Sequence, residues 1–130
     1  MATTTNEDIL YKGQRRSVHH IVGRNTDGTG ETGVQKVDKS ALTDHDGKEP
    51  SSLTVEAIEY NVQGFGSVEL LWDHGTDINI GYLSGAGELN WYSSGGKHDS
   101  GPGTGDIILT SRDAASGDTY DITLWLKHES

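Results

Sequence analysis

The chain has no cysteine, a single methionine, a single phenylalanine and only two prolines in 130 residues. Without cysteine it can build neither a disulfide framework nor a thiolate metal site. Side chains able to fill a core are also few. Hydrophobic residues make up 32%, against the ~45–50% usual when glycine is counted among them. No apolar run approaches the ~20 residues of a membrane-spanning helix, so no membrane partner is expected. The segment Met1 to Asp8 is polar and acidic and lacks the charged-then-apolar pattern of an export signal, so synthesis in a cytoplasm is expected.

Glycine and acid are abundant. The 18 glycines are about twice the usual ~7%, which predicts many tight turns around a thin core. A domain of that kind is marginal alone and gains from association. The length suits one domain. The net charge of −10 is unevenly placed: residues 1–48 carry seven basic and seven acidic side chains, whereas residues 49–130 carry three basic and thirteen acidic ones. An acidic surface repels phosphate backbones, so nucleic acid is not an expected partner. The neutral first third is the part expected to dock, through Lys12, Arg15, Arg16 and Arg24, with the acidic remainder facing solvent.

Helical periodicity nowhere persists, and glycine or Asn-Asp-Ser clusters interrupt each apolar segment. Period-2 segments recur instead. Residues 17–24 alternate Ser17, His19 and Ile21 against Val18, His20 and Val22. In residues 53–62 the apolar phase shifts from Leu53, Val55 and Ala57 to Ile58, Tyr60 and Val62, which predicts a bulge or a strand buried on both faces. Val68, Leu70 and Trp72 share one strand face. Tyr120, Ile122, Leu124 and Leu126 share another, with Trp125 opposite. Weaker strands are expected at 33–38, 77–83, 88–92 and 106–111.

About eight short strands predict an all-β fold: a single antiparallel β-sandwich of jelly-roll or Greek-key type. Residues 15–130 form this domain, and residues 1–14, with little apolar content, are expected as a flexible N-terminal arm. Three long loops, 25–32, 40–51 and 93–104, are read as surface loops, the last nearly low-complexity.

No constellation of residues supports catalysis. Adjacent His19 and His20 face opposite ways on a strand and cannot share one metal. His45, His74, His98 and His128 are scattered, with no pair at ligand spacing. DHDGKE at 44–49 clusters carboxylates about a glycine, but lacks the third Asp or Asn before it and the later Glu of a calcium loop. It and Asn25-Thr26-Asp27-Gly28 are read as β-turns. There is no nucleophile elbow, and the glycines at 95–105 do not join a strand to a helix. The expectation is a protein that is not an enzyme and has no metal or cofactor.

Aromatic residues remain. Trp72 is read as core, and Trp91, Tyr92 and Trp125 are the candidate interface aromatics. An outward Trp125 suits a protein contact, or stacking on a sugar ring as in a carbohydrate-binding module.

The segments SVHHIVGRNTDGTGETGVQKVDKSAL, SLTVEAIEYNVQGFGSVELLWDH and TGDIILTSRDAASGDTYDITLWLKH together resemble small virion structural proteins of tailed bacteriophages, over most of the chain after about Arg15. The resemblance implies a non-enzymatic β-sandwich on the particle. In a capsid decoration or cement role its partners would be the major capsid protein and copies of itself, as a homotrimer at three-fold positions on the capsid exterior. A neck or tail component is the alternative, and a module binding a host-surface glycan a further one.

Overall fold

A computed structural model describes residues 3–13, 15–43, 46–74, 76–98 and 103–129. Ten strands are present among them: β1 (Thr3–Lys12), β2 (Arg16–Asn25), β3 (Val34–Val37), β4 (Ser52–Gln63), β5 (Ser67–His74), β6 (Ile78–Leu83), β7 (Gly85–Asn90), β8 (Lys97–His98), β9 (Gly103–Arg112) and β10 (Thr119–Glu129). All pairings are antiparallel, in two packed sheets. The larger runs β1-β2-β10-β4-β7, with β8 also on β4, and the smaller runs β3-β9-β5-β6. The strands nest: β2 pairs β10, β3 pairs β9, β4 pairs β7 and β5 pairs β6. The all-β sandwich follows from the alternation, and the order of strands comes from this nesting.

Alternation decides which side chains are inside. Ile21 on β2, Tyr120, Ile122, Leu124 and Leu126 on β10, and Leu53 and Val55 on β4 face Val68, Leu70 and Trp72 on β5 and Ile107 and Leu109 on β9. The core is not thin. Nineteen buried apolar residues form one continuous cluster among the described residues, because the few large apolar side chains are spent almost entirely inside.

The phase shift in β4 is a bulge. Val55 lies opposite Leu126 and Ala57 opposite Trp125, which leaves Glu56 as the extra residue. One inserted residue exchanges the two faces, so odd positions point inward before it and even ones after it. Glu56 turns to the outer face, where it accepts two hydrogen bonds from the Arg16 guanidinium, from Nε at 3.0 Å and Nη2 at 3.3 Å.

Residues 3–12 are not a free arm. They form the edge strand β1, paired with β2 from Thr3 opposite Asn25 to Lys12 opposite Ser17, with a bulge between Ile9 and Tyr11. The sequence pattern misses it because Asn6 to Lys12 are all exposed. Backbone hydrogen bonds, rather than burial, hold β1 to the sheet.

Candidate functional site

Buried polar groups occupy both ends of the core face of β2. At one end Ser17, His19 and His128 come together, with the Ser17 hydroxyl 2.7 Å from His19 Nε2 and 2.9 Å from His128 Nε2. His128 Nδ1 lies 2.6 Å from the Thr43 carbonyl oxygen, which can only accept. Nδ1 therefore carries the proton, Nε2 accepts from Ser17, and Ser17 in turn accepts from His19 Nε2–H. Burial, then the repulsion that a second proton would meet from a protonated His128 and from Lys12, holds the His19 imidazole down to about 4. The serine is 1% exposed and has an imidazole on each side. No reacting carbonyl can approach it, so the three side chains act as a tie joining β2, β10 and the Thr43 loop.

At the other end lies a charged cluster. Lys36 Nζ, fully buried, donates to Glu31 at 2.8 Å and to Glu7 of β1 at 3.0 Å. The Tyr120 hydroxyl donates to the second Glu31 oxygen, and the Lys36 ammonium lies 5.8 Å from the Tyr120 ring centre. Burial first, then the hydrogen bond and charge of Glu31, raise the Tyr120 phenol far above its ordinary value. Both Glu31 oxygens are thereby occupied, as a buried carboxylate requires. Through Glu7 the cluster fastens β1 to the smaller sheet.

The surface is divided. β1 is an edge of the larger sheet, and on it Ile9, Leu10 and Tyr11 are exposed by 44%, 60% and 60%. The same hairpin end carries exposed Lys12 and Arg15, neither with a side-chain partner among the described residues, and Arg16, which is held by Glu56. Arg24 does not join them. It lies eight residues along β2, roughly 26 Å away at strand spacing, and lines a depression on the outer face.

That outer face is crossed by five strands. One depression of about 440 Å³ is floored by Val22 and Thr119 and bordered by Asn6, Arg24, Gln63 and Asp121. A second, of about 480 Å³, holds Glu59, Glu88 and Thr123 and shares Asn61 and Asp121 with the first. Glu59 and Glu88 are directly opposite each other on β4 and β7. Asp121 is engaged by His20 at 2.6 Å, and no Lys or Arg lines the second depression.

The three aromatic candidates are separated. Trp91 packs against the core, with Lys97 5.8 Å from its ring centre. The side chain of Tyr92 lies outside the described residues. Trp125 is half-buried on the outer face, opposite Val18, and Tyr11 lies opposite Val18 from the other side, so both aromatics share one cross-strand row.

Turn chemistry accounts for residues 25–28: Asn25 Oδ1 accepts from Gly28 N at 2.6 Å and Asp27 Oδ1 from Thr29 N at 2.9 Å. Asp44 and His45 of the other acidic segment lie outside the described residues. Sequence reasoning missed the serine–histidine tie. Ser17-x-His19 marks one strand face, but His128 joins only through the pairing of β2 with β10. No protein-family model matches the chain, and no curated protein matches it significantly.

Proposed function

We propose that the protein is a non-enzymatic structural protein of a tailed-phage virion, a decoration or cement protein that docks on the outer capsid and stabilises it by bridging capsomers. The observation that carries this reading is an end where exposed apolar side chains and cations sit together on an acidic chain; Ile78 and Tyr82 are also exposed, on the edge strand β6 of the smaller sheet. Ile9, Leu10 and Tyr11 lie exposed on an open strand edge beside Lys12 and Arg15. An exposed apolar stretch on an unpaired strand edge is normally blunted or covered, and here a partner covers it. The nested strand pairing supports naming the sandwich a jelly roll. The copies sit symmetrically on the shell, as trimers at three-fold positions.

Binding to shells that lack the protein tests this. Purified chain is expected to co-sediment with such shells to hundreds of copies and to raise their resistance to heat and low salt. Ile9→Glu, which changes a single exposed side chain, is expected to abolish binding while the melting temperature holds. Shells equally resistant with and without the protein would rule out the cement role, and about a dozen copies per particle would place it in the neck or tail.

A carbohydrate-binding reading draws support from the Tyr11–Trp125 row alone. It requires glycan-array binding that Trp125→Ala removes, and an array without hits eliminates it.

A further inference from the structure

The two unusual surfaces of the larger sheet complement each other. The hairpin end presents two cations, Lys12 and Arg15, next to exposed Leu10 and Tyr11. The outer face presents Glu59 and Glu88 in one depression, next to a Val22-floored, mostly uncharged one. Like charges directly opposite on neighbouring strands cost stability, and neither glutamate has a side-chain partner among the described residues. A cation placed between them removes that cost, and an apolar side chain fits the adjoining hollow. One chain cannot satisfy itself, because the strands of a single rigid sheet hold its hairpin end away from this part of the face.

We propose that the outer face of the larger sheet is the docking site for the β1–β2 hairpin end of a second copy of this chain. Lys12 and Arg15 of one copy lie against Glu59 and Glu88 of the next, and Leu10 and Tyr11 cover the Val22 hollow. The contact is heterologous, head to tail, so it closes into a ring when the rotation between copies allows. It deepens the cement reading by naming the copy-to-copy contact, and it leaves Ile9 and the unpaired edge of β1 for the shell.

Sedimentation velocity of the full chain over a wide concentration range tests the proposal. The wild type is expected to self-associate, and more weakly as salt is added, since exposed charge pairs are screened. Lys12→Glu with Arg15→Glu, or Glu59→Lys with Glu88→Lys, is expected to weaken association by roughly tenfold or more. The four substitutions combined reverse both partners and are expected to restore it. If a reversal unfolds the chain by circular dichroism, Lys12→Gln with Arg15→Gln replaces it, with loss of salt dependence as the expected result.

A wild type that stays monomeric throughout overturns the proposal. So do reversals without effect, or a folded fourfold variant that fails to recover. Shell binding is measured on the same proteins. A chain that self-associates but ignores shells sinks the virion reading alone, and one that binds shells as a monomer sinks the copy-to-copy contact alone.

Discussion

Gly23 faces the core of the larger sheet, and a methyl group there would collide with the Tyr120 ring. The glycine is required by close approach rather than by backbone conformation. Gly23→Ala is expected to destabilise the fold by about 1–3 kcal/mol, an overpacking cost, read as a lower urea midpoint. His19 sets a pH dependence. Its folded form takes up a proton only near 4, whereas the unfolded chain does so near the ordinary ~6.5. Between those values the unfolded state binds more protons, so stability rises with pH across the window and is lost as pH falls through it, by up to about 3 kcal/mol. Ser17 hydrogen-bonds the imidazole, His128 and Lys12 disfavour its charge, and Glu7, Asp8 and Asp38 line the same hollow without forming an ion pair with it among the described residues. Urea titrations near neutral pH and at about pH 4.5 are expected to show a smaller difference for His19→Gln than for the wild type. Glu69 acts in the same direction, its contribution also being lost as pH falls. Burial opposes its charge, yet hydrogen bonds from Asn79, Arg112 and Tyr82 hold its carboxyl below the ordinary range.

At the scale of elements, β1 is an edge strand paired to one neighbour. Its side chains from Asn6 to Lys12 are exposed, and its one tie to the smaller sheet among the described residues is Glu7 to Lys36. Lys36→Ala strands Glu31 as a buried, uncompensated carboxylate and is expected to cost about 3–5 kcal/mol. Glu7→Ala removes the more exposed partner, and its effect is expected to be confined to β1, as faster hydrogen exchange of that strand's amides with little change in the global midpoint. β4 and β1 mark the two ends of what alternation reveals. The shift from Val55 to Ile58 announces the Glu56 bulge, because burial on one face forces apolar residues to one parity. β1 has no buried face, so no parity is imposed on it, and its pairing leaves no mark in the residue pattern.

At the scale of the whole molecule, charge and apolar surface are segregated along the larger sheet, with cations at its hairpin end and paired glutamates on its outer face. Self-association that fades with salt and weakens on reversing either partner is the behaviour expected of that arrangement, checked by sedimentation. The residues involved come from β1 and the turn after it on one side and from β2, β4, β7 and β10 on the other. Only the nesting of the strands makes them two surfaces. Residue pattern alone determined the all-β class, the apolar faces of β5 and β10, the phase shift in β4 and the uneven charge, since each depends on residues close in the chain, whereas the pairing of β4 with β10 made that shift a bulge at Glu56. Tertiary structure decided the rest. It joined His128 to Ser17 across 111 positions and Lys36 to Glu7 across 29, and it parted Arg24 from Lys12 and Arg15. Those relations depend on which strands are neighbours, and strand order is set by packing two sheets around one core rather than by any local preference.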